Sequence, residues 1–209
     1  MQIKITIPLK LHLGCGDILL KDWVNIDMTK PRFDIPEGII FLDSDIRDLS
    51  FIPSESVDEI LIINVLEHFP MSEHDLLLYN WWRMLKLNGR VRLVGPNFES
   101  MTSSYLKGEI FGRNIKTELW DVFQSVLFGI KQMPGHMSLL TPWYLEKLFN
   151  RTLFDSKILV QQNGWGIAVE AHKKLDSCGC TTRKINAKIE DDDDEVSGLW
   201  PENWEILKL

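Results

Sequence analysis

The segment Asp58–Ile63, with the sequence DEILII, constrains the fold of this chain more than any other feature. After two acidic residues it is apolar without interruption, which is typical of a strand that is buried on both faces. Such strands belong to parallel sheets, because crossover helices cover both faces of these sheets. The segment therefore predicts a parallel sheet in the interior of an α/β domain.

Strands and crossovers alternate on either side of this segment through about residue 95. Further strands are predicted over Leu9–Leu13, Trp23–Asp27, Ile39–Leu42 and Arg90–Val94. Apolar residues recur at helical spacing over Ser72–Leu87, which predicts a helix with Ser72 as its N-cap and Asn88–Gly89 as its C-cap. This order predicts a doubly wound, Rossmann-like sheet with helices on both faces and ligands beyond the carboxyl ends of the strands.

The second half of the chain follows a different pattern. Helices are predicted over Ser100–Leu106, Thr117–Phe128 and Thr141–Asn150, the last with Thr141 as its cap. Two strands, Ser156–Gln162 and Gly166–His172, flank an Asn-Gly turn signal and predict an antiparallel C-terminal hairpin. We expect one domain over residues 1–209, with residues 99–140 as an inserted helical lid and residues 176–209 as an acidic tail that contains tryptophan.

Composition narrows the classes of function and location. The formal net charge of −7 disfavours broad electrostatic attraction to nucleic acid or to an anionic membrane. No apolar run is long enough to span a bilayer, and the N-terminus lacks the apolar stretch of a signal peptide. With an odd count of three cysteines, the chain is expected to be a cytoplasmic protein.

Several histidines, cysteines and tryptophans lie outside the motifs discussed below. Cys178 and Cys180 form a C-x-C pair that His172 alone does not complete, so no metal site is predicted. His74 is expected on an exposed face of its helix, whereas Trp81 is expected in the core.

Two glycines and an acid mark the first candidate ligand site. Gly14 and Gly16 directly follow a predicted strand, and Asp27 ends the next one. Glycines there let the backbone approach a ligand, and a carboxylate at the second strand end can accept both hydroxyls of a ribose. The pattern predicts a nucleoside-type cofactor site, with a plain turn as the alternative. A dinucleotide fingerprint would require a third glycine where Leu19 stands and an acid about 20 residues on.

The ordered motifs resemble those of class I S-adenosylmethionine-dependent methyltransferases, in particular a small bacterial branch. The resemblance covers about residues 9–98 and consists of LHLGCGD, WVNIDM, FLDSDIRDLSFIPSESVDEILIINVLEHF and WWRMLKLNGRVRLVGPN. It continues weakly through GHMSLLTPWYLEKLF. The resemblance implies a methyltransferase that uses S-adenosylmethionine and releases S-adenosylhomocysteine. The chain departs from the pattern at His12, where a small polar residue is usual.

The resemblance also implies which residues contact the cofactor. The methionine part would pack against Gly14, Cys15 and Gly16. The ribose and adenine would contact Asp27, Met28, the Asp45 carboxylate and the backbone of Ile46. The path to the sulfonium would be lined by Asn64, Val65 and Leu66, with Glu67 and His68 at its edge.

The resemblance does not identify the methyl acceptor or the residues that bind it. His136, in the loop PGHMS, and His68 are the candidate catalytic residues, and a structural role for each is the alternative. The expected acceptor is a small molecule or a saccharide, the latter only by association with similar proteins. The apolar segment Leu127–Gly135 suits a lid or a homodimer contact. A catalytically silent S-adenosylmethionine-binding protein and an NAD or nucleotide-sugar enzyme are the alternative functions.

Overall fold

The computed structural model describes residues 8–110, 113–114, 129–130, 133–152, 154–160 and 165–173. Three predicted features lie outside these residues: the helix over Thr117–Phe128, the Asn163–Gly164 turn and the tail 176–209.

Among the described residues, one sheet of seven strands forms the centre of the fold. Its strands, in sequence order, are β1 (Lys10–Leu13), β2 (Val24–Asp27), β3 (Ile40–Asp43), β4 (Val57–Ile63), β5 (Leu85–Pro96), β10 (Phe154–Val160) and β11 (Gly166–Lys173). Two separate pairs of two-residue strands are β6 (Glu109–Ile110) with β7 (Arg113–Asn114), and β8 (Gly129–Ile130) with β9 (Met133–Pro134). The order across the sheet is β10-β11-β5-β4-β1-β2-β3. The first five strands are parallel and β10 and β11 are antiparallel, which confirms the predicted fold class.

Within the described part of the chain, three helices accompany the sheet: α1 (Met71–Met84), α2 (Phe98–Lys107) and α3 (Pro142–Arg151). The third begins as predicted, since the Thr141 side chain accepts a hydrogen bond from the backbone N–H of Tyr144 at 3.1 Å. The first does not, because the extended residue Pro70 precedes it and Ser72 makes no cap. A single 3-10 turn over Leu66–His68 links β4 to α1.

The predicted C-cap of α1 at Asn88–Gly89 is wrong. The helix ends at Met84 and β5 begins at once, with Leu85 paired to Val57. Asn88 has a φ of +62° within β5, where the register with β4 shifts. Asn88 and Gly89 therefore form a bulge in β5. A β-carbon on Gly89 would lie 2.9 Å from the carbonyl oxygen of Lys86, so only glycine fits at position 89.

The two faces of the sheet are covered differently. On one face, α1 and α3 contribute to the main core; their fully buried residues include Leu77, Leu78, Trp81, Leu145, Leu148 and Phe149. On the other, a smaller cluster around Leu61 and Val94 is packed by Leu20 and Trp23. These two residues lie in the connection between β1 and β2, which contains no helix.

A buried hydrogen-bond network holds this short connection in place. The Asn25 side chain accepts from the backbone N–H of Leu20 at 2.8 Å and donates to the carbonyl oxygens of Leu20 and Ile40, each at 3.0 Å. Its oxygen also accepts from Nδ1 of His12 at 3.2 Å. Burial lowers the pKa of His12 to about 4, so the ring is neutral. His12 therefore stabilises the connection from within the sheet.

None of the helices among the described residues is long and apolar enough to cross a membrane.

Candidate active site

The turn after β1 passes very close to the end of β4. Gly14 has a φ of +66°, and a β-carbon there would lie 2.5 Å from Cγ2 of Val65. Its backbone N–H donates to the carbonyl oxygen of Ile26 at 2.8 Å. Glycine is therefore required at position 14 by both conformation and contact.

The Asp27 carboxylate is oriented by two backbone donors. One oxygen accepts from the N–H of Gly16 at 2.9 Å, and the other accepts from the N–H of Thr29 at 2.8 Å. Each carboxylate oxygen has further acceptor capacity, so the group can still bind hydroxyls. Met28, beside it, exposes 65% of its surface. The predicted glycines and acid thus meet at one edge of the sheet.

Cys15 is enclosed within the same turn. Its side chain is buried, and burial together with the nearby Asp27 charge raises the pKa of the thiol to about 12. A thiol that stays protonated is a poor nucleophile. Packing under the turn accounts for its presence.

The segment after β3 contains a tight ion pair. Both oxygens of Asp45 accept from Arg47, whose Nη2 lies 2.6 Å away, and this pairing lowers the pKa of the carboxyl. Ile46 is buried in the main core, so only its backbone is available to a ligand. An adenine amino group at Asp45 would share that carboxylate with Arg47.

The residues after β4 form the base of the site. Asn64 has a φ of +52°, and its N–H donates to the carbonyl oxygen of Val94 at 2.8 Å. The side chains of Val65 and Leu66 are both buried in the main core. Val65 faces the Gly14 turn, whereas Leu66 can contribute only its backbone to a ligand site.

The structure brings His68 and His136 together. Their ring centroids are 5.0 Å apart in an edge-to-face arrangement. Burial lowers the pKa of both imidazoles, that of His136 to about 4. Both rings are therefore neutral near pH 7.

Glu67 is the third member of this cluster. The sequence motifs predict it only at the edge of the path to the sulfonium. Its side chain is 1% exposed, and neither carboxylate oxygen has a hydrogen-bond partner among the described residues. Burial raises the pKa of this carboxyl to about 8. Its backbone carbonyl accepts from the N–H groups of Met137 and Ser138 at 2.8 and 3.1 Å, which fixes the His136 loop against the turn.

A small, mostly apolar pocket opens beside this loop. It is lined by Pro96, Phe98, Met101, His136, Ser138, Leu139 and Leu140. Asn97 is not a free polar group in this region, because its side chain caps α2 by accepting from the N–H groups of Glu99 and Ser100. His136 is thus shared by the pocket and the cluster with Glu67 and His68.

The prediction that His74 is exposed is wrong, because its side chain has no exposed surface. Nδ1 accepts from the Tyr144 hydroxyl at 2.7 Å, and Nε2 lies 3.1 Å from the carbonyl oxygens of both Leu66 and Phe69. These contacts join α3 to the turn that carries Glu67 and His68. His74 is therefore a positioning residue rather than a surface residue.

Comparison with known proteins agrees with this geometry. Residues 11–93 match the family model of a methyltransferase domain. No curated protein matches the sequence significantly.

Solved structures share the fold at low sequence identity. A SAM-dependent methyltransferase from Archaeoglobus fulgidus has 14% identity and a TM-score of 0.56, over 79% of this chain and 86% of that one. A SAM-dependent methyltransferase from Methanosarcina mazei has 17% identity and a TM-score of 0.53, over 82% and 95%. Human N-acetylserotonin methyltransferase in complex with SAM has 18% identity and a TM-score of 0.54, over 83% and 50%. The domain match shows a methyltransferase domain over residues 11–93, and the shared fold is that of SAM-dependent methyltransferases.

Proposed function

We propose that this chain transfers the methyl group of S-adenosylmethionine to a small molecule or a saccharide. The observation that carries the proposal is the edge where the Gly14 turn, the Asp27 carboxylate and the His136 pocket lie at the carboxyl ends of neighbouring strands. Ligands of doubly wound sheets bind at that edge.

The residues on the cofactor side fit S-adenosylmethionine. The turn at Gly14 leaves no room for a side chain, which suits close backbone contact with an aminoacyl group. Asp27 is held by Gly16 and Thr29 with acceptor capacity left for ribose hydroxyls. When bound, S-adenosylmethionine supplies a methyl group that its sulfonium has already activated. The protein has to align the acceptor with this group and exclude water.

The residues on the acceptor side favour a small substrate. The pocket has apolar walls that include Phe98, Met101 and Leu140, with His136 and Ser138 as its polar groups. Walls of that kind suit a small molecule or the end of a saccharide better than the phosphate backbone of a nucleic acid. The net charge of −7 also disfavours a polyanionic acceptor. We assign His68 and His136 to the acceptor side.

Calorimetric titration with S-adenosylmethionine, S-adenosylhomocysteine and NAD tests the cofactor assignment. The first two should bind, and Asp27→Asn should weaken both by about tenfold or more, because it removes the charge that binds the ribose. Asp43→Asn is the matched control, since Asp43 pairs with Asp27 in the sheet register and ends the adjacent strand. Binding of NAD alone, or equal effects of the two variants, would contradict the assignment.

A second measurement separates an enzyme from a silent cofactor-binding protein. Formation of S-adenosylhomocysteine is followed over a panel of hydroxyl-bearing and amine-bearing small molecules and saccharides. Turnover with at least one class, lost in Asp27→Asn, is the expected result. Cofactor binding without turnover across the panel would favour the silent protein.

A further inference from the structure

Three metal-ligating side chains lie together at the carboxyl edge of the sheet. Glu67, His68 and His136 each offer one ligand atom, and these atoms all lie within 4.8 Å of one another. Glu67 and His68 belong to the 3-10 turn after β4, whereas His136 comes from the loop before α3. Backbone hydrogen bonds from Met137 and Ser138 to the Glu67 carbonyl oxygen hold the two segments together.

The side chain of Glu67 is buried without a protein partner in the part of the chain that the structure describes. The side chain is 1% exposed, and both of its oxygens lack a hydrogen-bond partner among the described residues. Nδ1 of His68 is likewise buried without a partner among those residues. Buried polar groups of this kind cost free energy unless something pairs with them. A cation between the carboxylate and the imidazoles would satisfy the unpaired atoms on both residues.

We propose that Glu67, His68 and His136 bind one divalent transition-metal ion, for which Zn²⁺ is the best match. Two imidazoles and one carboxylate suit Zn²⁺, whereas Mg²⁺ and Ca²⁺ prefer oxygen ligands alone. A tetrahedral Zn²⁺ about 2.1 Å from each ligand holds the ligand atoms ~3.4 Å apart. Small side-chain rotations would bring the three ligand atoms from their present separations to that spacing. Three protein ligands leave the fourth position open, as in catalytic zinc sites.

The open position gives the ion a role at the acceptor pocket, a step that rests on the proposed function. His136 is both a ligand and a wall of that pocket. A hydroxyl of the acceptor that binds the ion would have a lowered pKa and would pass its proton to solvent water. The inference therefore narrows the acceptor to a molecule with a hydroxyl group beside the methyl donor.

Metal binding is measured on the full chain without a histidine tag, with Cys178 and Cys180 replaced by serine. These replacements remove thiols that could bind Zn²⁺ elsewhere. Calorimetric titration with Zn²⁺ should show one ion per chain at micromolar affinity or tighter. Glu67→Gln and His136→Gln should each weaken binding at least tenfold, whereas His172→Gln, outside the cluster, should leave it unchanged. Circular dichroism confirms that each variant is folded.

Titration with Co²⁺ supplies a spectroscopic readout of the same site. Visible absorption bands should appear at one equivalent, and they should change in Glu67→Gln and in His68→Gln. No stoichiometric binding of either ion, or equal binding by the wild type and the cluster variants, would overturn the inference.

A separate titration with S-adenosylmethionine in the presence of EDTA distinguishes the two proposals. Cofactor binding without a metal site overturns only the metal inference. A metal site without cofactor binding overturns the proposed function, and with it the role of the ion at the acceptor.

Discussion

Gly14 and Val65 approach each other so closely that a β-carbon at position 14 would lie 2.5 Å from Cγ2 of Val65. Gly14 begins the turn after the first strand, and Val65 follows the fourth, so the contact joins the two strand ends that frame the site. Gly16 has a similar φ of +51°, but nothing lies within 4 Å of a β-carbon there. A comparison of the two positions therefore distinguishes the effect of a steric contact at Gly14 from the effect of left-handed backbone alone at Gly16.

Replacement of these glycines by alanine should have unequal effects. Gly14→Ala should lower the free energy of unfolding by about 3 kcal/mol, because Val65 or the turn must move. Gly16→Ala should cost about 1 kcal/mol from its left-handed backbone alone. Urea denaturation measures both, and calorimetry should show weaker S-adenosylmethionine binding for Gly14→Ala. Equal losses of stability would contradict the importance of the Val65 contact.

The neutral, buried His12 should make the fold sensitive to acid. The pKa of His12 is about 4 in the folded state and near its ordinary 6.5 when unfolded, so below pH 6.5 the unfolded chain takes up the proton first. Stability is therefore lost as the pH falls from about 6.5 to about 4. At pH 5 the loss from this residue should be about 2 kcal/mol.

His12→Gln tests that expectation, because glutamine retains a donor for Asn25 and does not titrate. Urea denaturation of both proteins is compared at pH 7.5 and pH 5. The variant should lose less stability than the wild type over that interval, by about 2 kcal/mol. An identical loss in both proteins would assign the acid sensitivity to other groups.

The His74 network should be important for stability and for the position of the Glu67 turn. His74→Ala should lower the free energy of unfolding by about 3 kcal/mol, because it leaves a cavity and an unpaired Tyr144 hydroxyl. Tyr144→Phe should cost about 1 kcal/mol, since it removes one hydrogen bond. His172→Ala, a histidine with a partly exposed side chain on β11, should change stability by less than about 1 kcal/mol. Thermal or urea denaturation of the three variants measures these changes. Similar losses of stability for His74→Ala and His172→Ala would contradict the importance of the network.

Local patterns predicted the sheet because each strand is marked by its own apolar residues. The run at Asp58–Ile63 and the Gly14, Gly16 and Asp27 pattern need no distant contact to be recognised. The prediction of a helix C-cap at Asn88–Gly89 is wrong because the same residue pair suits both a helix C-cap and a bulge. The choice depends on the pairing of Leu85 with Val57, which helical periodicity does not report.

Local sequence patterns do not predict the burial or contacts of a residue whose neighbours are distant in the chain. His74 is buried by Tyr144, which lies 70 positions further along the chain. The motif LEH places Glu67 beside His68, but only the fold adds His136 and leaves the carboxylate unpaired. Sequence motifs therefore predict the cofactor residues, whereas the cluster of Glu67, His68 and His136 is visible only in three dimensions.

The Asp45–Arg47 pair gives a test of how the adenine is bound. If Asp45 accepts from the adenine amino group, Asp45→Ala should weaken S-adenosylmethionine binding by about tenfold, the value of one hydrogen bond to a charged group. Arg47→Ala should keep the wild-type affinity or improve it, because it frees the carboxylate from its present partner. Both variants should remain within about 1 kcal/mol of the wild type in stability, since the pair is partly exposed. Calorimetry with S-adenosylmethionine makes the comparison. Equal weakening by the two variants would mean that the ion pair shapes the loop and that Asp45 does not contact the cofactor.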